Sequence, residues 1–94
     1  MNPAPPVLHN PAEHRYEVEV DGFLAVADYE FRDGRQVFTH TFVPPELRGR
    51  GLAEALVRTA LDDAMAAGRK VVPACSYVAK YIERHRHYRP LLAE

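Results

Sequence analysis

The chain predicts an α/β (α+β) fold in which an antiparallel N-terminal meander and a βαβ unit share one mixed sheet, closed by a short C-terminal helix. Three observations carry this. Two Asp-Gly pairs, Asp21-Gly22 and Asp33-Gly34, separate three runs of strand character. One long stretch then follows the helical period, and a short apolar run comes after it, as the second strand of a parallel pair requires. At 94 residues there is room for one domain, and 47% hydrophobic with 27% charged residues suits an ordinary globular core.

Residues 1–12 hold Pro3, Pro5, Pro6 and Pro11, which remove backbone donors, so a flexible tail is expected before a compact domain at 13–94. Residues 15–20 alternate strictly, with Tyr16, Val18 and Val20 facing one way as in a half-exposed strand. After the first turn, Phe23, Ala25, Ala27, Tyr29 and Phe31 line one face of a second strand. The third, residues 36–43, is β-branched or aromatic on both faces and belongs inside the sheet, with His40 sharing a face with Phe38 and Phe42. Over residues 52–67, Leu52, Leu56, Val57, Ala60, Leu61, Ala64 and Met65 keep the helical period, while Glu54, Arg58 and Asp62 stand four apart on the other side. Gly68 supplies a C-terminal cap, and residues 70–75 return as a strand parallel to the third by a right-handed crossover. Pro73 cannot donate to a ladder, so this strand is expected at an edge or splayed from its neighbour. Ser76 is placed to cap a short helix over 77–84, followed by a basic, aromatic tail through Tyr88.

A net charge of -1 gives no global drive toward nucleic acid or membrane. No apolar run approaches the roughly 18 residues of a bilayer span, and the proline-rich start does not read as a secretory signal. The single cysteine, Cys75, rules out an internal disulfide framework and fits a reducing compartment, so a cytoplasmic location is expected. The densest basic run, Arg84-His85-Arg86-His87-Tyr88-Arg89, reads first as solvated surface, with an adenosine phosphate or RNA as functional alternatives. Neither a cysteine nor a carboxylate cluster accompanies His85-x-His87, so no metal is assigned.

The most informative stretch is Pro44-Pro45-Glu46-Leu47-Arg48-Gly49-Arg50-Gly51-Leu52-Ala53, a turn between a strand and a helix. A helix N-terminus presents unpaired N–H donors and the positive end of the macrodipole, and glycines let a diphosphate come close to the backbone. Arg48 and Arg50 add charge-assisted donors. The stretch thus reads as a phosphate cradle, though it lacks the third glycine of a dinucleotide fingerprint and the Gly-Lys-Ser/Thr of a Walker A loop.

Arg48-x-x-Gly51-x-Ala53 matches Q/R-x-x-G-x-G/A and resembles the pyrophosphate loop of the GNAT superfamily of acetyl-CoA-dependent N-acetyltransferases. With Thr39-His40-Thr41-Phe42-Val43-Pro44, Leu56-Val57, Pro73-Ala74-Cys75-Ser76-Tyr77-Val78 and Tyr88, the chain resembles the minimal single-domain branch of that superfamily over residues 13–92. The resemblance implies an N-acetyltransferase that moves acetyl from acetyl-CoA to a primary amine, on a small molecule or a protein. Amides from Arg48 through Gly49, Arg50, Gly51 and Leu52 to Ala53 would hold the pyrophosphate, and backbone groups of Phe42 and Val43 would pair with the pantetheine arm.

The resemblance also places Cys75 near the acetyl group, where it would give a proton to the departing thiolate or carry the acetyl transiently; otherwise it is a small buried hydrophobe. His40 suits a proton acceptor for the incoming amine and equally a packed sheet histidine. Tyr77 and Tyr81 compete as donors to the leaving sulfur, or serve as core aromatics. Lys80 is read as a phosphate partner or a solvated lysine, and Ser76, beside the cysteine, is grouped with the cofactor contacts. The other readings are a non-catalytic acyl-CoA-binding module and, third, a small nucleic-acid-binding protein.

Overall fold

The computed structural model describes residues 5–93. Five strands lie side by side in chain order: β1 (Leu8–Asn10), β2 (Arg15–Val20), β3 (Phe23–Arg32), β4 (Arg35–Phe42) and β5 (Val71–Pro73). The first four are antiparallel, and β5 joins β4 in parallel after the crossover helix α1 (Leu52–Ala66). Helix α2 (Ser76–Arg84) follows. The mixed sheet, meander, βαβ unit and closing helix agree with the expected class, and β5 is the edge strand that Pro73 requires.

Part of the segment expected as a tail is in the sheet. Between Pro6 and Pro11 lies a proline-free stretch long enough to pair, and Leu8–Asn10 forms the outer strand against Arg15–Glu17. The Asn10 side chain then caps a 3-10 turn at Pro11–Glu13 by accepting from the Glu13 N–H at 3.3 Å. Residues 1–4 of the expected tail, and residue 94 of the expected domain, lie outside the described residues.

Both Asp-Gly hairpins form with positive φ at Asp and Gly, the geometry that matches strand twist. Helix α1 ends as its Gly68 implies: the Arg69 N–H reaches Ala64 O at 2.9 Å and the Gly68 N–H reaches Met65 O at 3.2 Å. Leu52, Leu56, Val57, Ala60, Leu61 and Ala64 are buried, whereas Met65, expected on that face, is 40% exposed.

The second difference is in β4. Asp28 pairs with His40 but Tyr29 pairs with Phe38, so Thr39 is an extra residue, a β-bulge. Its hydroxyl donates to Asp28 O at 3.4 Å. A bulge reverses the alternation: Phe38 joins Tyr29 on the core face, and beyond it Thr41 joins Ala27 there. His40 and Phe42 therefore leave the face of Phe38, correcting the expected shared face, and their rings stack at 6.2 Å on the opposite side.

Tyr16, Val18, Ala25, Ala27, Tyr29, Phe38 and Val71 form the sheet side of one core with the buried residues of α1 and with Val78, Tyr81 and Ile82 of α2. The expected basic tail is docked rather than free, because a 3-10 helix at Arg86–Leu91 buries Tyr88 and Leu91 in the same core. Two phenols tie the layers to α1: Tyr16 donates to Asp63 and Tyr88 to Asp62, each at 2.6 Å. Gln36 is fully buried, and its Oε1 accepts from Arg69 Nε at 3.3 Å.

Burial first, and then the bonds to Asp63 and Asp62, hold Tyr16 and Tyr88 far above the ordinary tyrosine value. Burial raises Tyr29 as well. A phenol whose folded value is raised stabilises the fold fully below its unfolded value and loses that contribution as pH rises through the folded one. The urea midpoint is therefore expected to stay level up to about pH 10 and to fall above it. Tyr16→Phe should lower stability at neutral pH by roughly 1–3 kcal/mol and flatten the alkaline decline; an unchanged alkaline slope would show that Tyr16 does not contribute to it.

Candidate functional site

The loop after β4 descends through a 3-10 turn at Pro45–Leu47, which buries Leu47 and fixes where α1 begins. Gly49 and Gly51 follow at φ of 83 and 74, a left-handed conformation that a β-carbon disfavours. Gly51 is the N-cap of α1 and no side chain caps that end. The first amide to reach a carbonyl of the helix is that of Ala55, bonded to Gly51 O at 3.1 Å, so the N–H groups of Leu52, Ala53 and Glu54 have no acceptor within it. A β-carbon on Gly49 or Gly51 would meet no atom within 4 Å and would project into open space. Around these residues is a cleft of about 260 Å³, lined also by Val43, Leu47, Arg48 and Tyr77. Unpaired amides, a helix dipole and room at the backbone suit an anionic diphosphate.

Of the two arginines, Arg48 lines that cleft, and both hold the turn. Arg48 Nε donates to Val43 O at 3.1 Å and Arg50 Nη2 to Glu46 O at 3.4 Å, so each braces the turn that aims the amides. Four further N–H groups of each guanidinium point elsewhere. Val43 O, expected opposite the pantetheine arm, is thus already an acceptor for Arg48.

The second half of the site is the gap between β4 and β5. Their pairing runs from Gln36–Val71 to Phe38–Pro73 and stops, apart from the Cys75 N–H, which donates to Phe38 O at 2.9 Å. Beyond the Thr39 bulge β4 keeps β3 on one side only, and alternate backbone groups of residues 40–42 are directed toward the gap.

Cys75 stands at this gap as the N-cap of α2, one position ahead of the expected cap Ser76, which is instead the exposed first helical residue. The thiol lies 3.5 Å from Thr41 Oγ1. Burial opposes its ionisation, but hydrogen bonds from the Thr41 hydroxyl and from backbone N–H groups of Val78, Tyr77 and Thr41 outweigh that and hold it below the ordinary thiol value. His40 is the neighbour of Thr41 in the strand and so projects from the other face of the sheet. The cysteine and the histidine flank the same point of β4 from opposite sides.

Tyr77 is 39% exposed and lines the cleft beside Gly49 and Gly51, whereas Tyr81 is buried with its ring stacked on His85 at 4.0 Å. Six residues along α2, Tyr81 is displaced about 9 Å along the axis from Cys75. Tyr77, Tyr81 and Lys80 border a second cleft, beside the first. Among the described residues no group of three or more His, Cys, Asp or Glu side chains converges as a metal site would need, and no helix is long and apolar enough to cross a membrane.

Residues 15–91 match the family model described as GCN5-related N-acetyl-transferase. The chain belongs to the GCN5-related N-acetyltransferase family. It is 34% identical over 82 residues to "Protein NATD1" of Mus musculus, covering 84% of this chain and 74% of that protein. "Protein NATD1" of Xenopus tropicalis is 32% identical over 82 residues, with 84% and 75% covered. The fold is shared with a GCN5-like putative N-acetyltransferase of Staphylococcus aureus, solved in solution by NMR, at a TM-score of 0.73 and 22% identity over 94% of this chain and 87% of that one.

Within this N-acetyltransferase fold, two residues that the sequence does not single out complete the site. Thr41 was hidden because its hydroxyl becomes relevant only once a bulge turns it toward the helix side. Glu54, read as a surface charge, is exposed and also lines the cleft. Iodoacetamide labelling of Cys75 should reach half its limiting rate below pH 9.0, the ordinary thiol value. Thr41→Val should move that midpoint upward and Thr41→Ser should largely restore it; an identical profile in all three proteins would remove Thr41 from the thiol's environment.

Proposed function

We propose that this family member binds acetyl-CoA and transfers its acetyl group to a primary amine. The observation that carries the reading is the uncapped start of α1, where two left-handed glycines and free amides open onto a cleft beside the gap between β4 and β5. The cradle takes the diphosphate, with Arg48 and Arg50 bracing it, and the gap takes the pantetheine arm as an added strand between Thr39–Phe42 and the end of β5. The thioester carbonyl then sits in the plane of the sheet, between Cys75 on the helix side and His40 on the other.

That division suits the chemistry. The amine nitrogen adds to the carbonyl carbon, the carbon–sulfur bond breaks, and the sulfur leaves with the bonding pair. His40, from the open face, accepts or relays the proton lost by the amine. Cys75, on the helix side, gives its proton to the departing sulfur, and its own thiolate is met by the Thr41 hydroxyl and the α2 amides. An alkylamine near pKa 10 is almost wholly protonated at neutral pH, which is why a base or a path to water is required.

Two measurements test the parts separately. Acetyl-CoA is expected to raise the melting temperature by mass action, Gly51→Val to abolish that rise, and Arg48→Ala to weaken it less because the amides remain. Since valine at a left-handed position costs about 1–2 kcal/mol, the variant's unliganded melting point must be compared first. Wild-type affinity in a folded Gly51→Val protein would overturn the cradle. Thiol release from acetyl-CoA with an amine panel then distinguishes a transferase from a module that only binds.

For turnover, His40→Gln should cost most below about pH 8, where the free amine is scarce, and leave acetyl-CoA binding almost unchanged. Cys75→Ala should slow the reaction roughly 10²-fold without any acetylated enzyme in the wild type. Near-total loss together with a hydroxylamine-sensitive acetyl mass on Cys75 would replace direct transfer by a two-step route, and full activity would exclude the thiol.

A further inference from the structure

The helices pack on one side of the sheet. The buried residues of α1, α2 and the C-terminal 3-10 turn join the inward residues of β2, β3 and β4 in a single core, and among the described residues no helix buries side chains against the opposite face. The strand pairing sets out that open face. Val26 lies between Glu17 and Phe42, Asp28 lies between Arg15 and His40, and Leu24 stands opposite Glu19. The Thr39 bulge brings His40 and Phe42 to this side, at the rim of the gap between β4 and β5. Leu24, Val26 and Phe42 thus make an apolar strip that begins beside the gap, and the Phe42 ring is left 42% exposed.

Carboxylates border the strip. Glu17 is paired with Arg15 at 2.8 Å and Glu30 with Arg32, so those charges are met within the sheet. The carboxylates of Asp28 and Glu19 form no hydrogen bond or salt bridge with a described residue. Arg15 stands opposite Asp28 but turns its Nε–H to Glu17. Cross-strand spacing puts Asp28 about 5 Å from His40. Glu19, paired with Leu24, is roughly 13 Å farther along the strands, at the other end of the strip.

An amine that reaches the thioester past His40 arrives over this face. It meets two uncompensated negative charges with apolar surface between them, set farther apart than one ammonium can span. Cationic side chains spaced along an extended chain match that separation, with the intervening side chains resting on Phe42 and Val26. We propose that the open face of the sheet seats a basic protein segment, in extended form, whose lysine is the acceptor. This rests on the transfer reading and adds to it the kind of acceptor, a lysine with cationic neighbours rather than a free small amine. The same carboxylates repel an acidic segment, which gives the face its selectivity.

Thiol release from acetyl-CoA tests this with a blocked peptide of one lysine flanked by arginines, the same peptide with alanines in place of the arginines, n-butylamine and spermidine. The arginine peptide is expected to exceed the alanine peptide roughly fivefold in kcat/KM at low salt, mainly through KM, with the ratio shrinking as ionic strength rises. Glu19→Gln/Asp28→Asn should bring that ratio close to one, in a protein whose melting point is first compared with the wild type. Glu19→Gln alone, at an exposed position, should lower it part-way. Equal rates on the two peptides, or a preference for n-butylamine or spermidine, would overturn the inference while leaving transfer to amines intact. So would an undiminished ratio in the folded variants, since the arginines would then be met elsewhere. No thiol release with any of these acceptors would overturn the transfer reading and this inference together.

Discussion

Thr39 is one residue more than β3 can pair, and the strand on either side of it therefore lies in two different phases. Before it, β4 is held on both edges and turns Phe38 into the core. After it, β4 is held on one edge, and Thr41 takes the inward face while His40 and Phe42 face out. A regular strand would have carried β4–β5 pairing forward and closed the gap with backbone hydrogen bonds. The bulge and Pro73 act together, one bending a strand away and the other withholding a donor from its partner.

The remaining site elements are secured by packing on the other side of the sheet. Leu52 and Leu56 anchor the first turns of α1 in the core, and Leu47 fixes the turn that leads into it. The free amides of that helix are consequently preorganised, so an anion would not have to order them. A Ser or Asp at the cap position would have satisfied one of these donors internally and stabilised the helix by about 1 kcal/mol. Glycine at residue 51 forgoes that stabilisation and leaves the donors available.

Much of this was legible in the sequence because local chemistry fixes it. The Asp-Gly pairs dictated both hairpins, the apolar period dictated α1, and Gly68 dictated how it ends. The glycines of the cradle likewise signalled their own conformation. Other features left no local trace. A bulge made by a threonine within a β-branched strand interrupts no pattern, so the face of His40 could not be read. The strand at Leu8–Asn10 is too short for periodicity and hides among prolines. Tyr88 and Leu91 sit in a run whose charges suggest solvent, yet every exposed basic residue there is spaced so that these two can turn inward. Gln36, buried with one amide nitrogen unpartnered, had nothing in sequence to mark it as interior.

The docked C-terminal segment also has a bearing on how copies of the molecule meet. Leu92 bridges Val71 in parallel, and the Ala93 N–H donates to Val71 O at 3.0 Å, so the outer rim of β5 is partly occupied by the chain's own backbone. Together with Pro73 this leaves little for a foreign strand to pair with on that side. The opposite rim, at Leu8–Asn10, is three residues long and carries the most exposed large apolar side chain among the described residues, Leu8 at 60%. Strand-to-strand growth of aggregates would thus be directional, starting from the N-terminal rim, and a charge at Leu8 is where colloidal behaviour could be improved without touching either cleft.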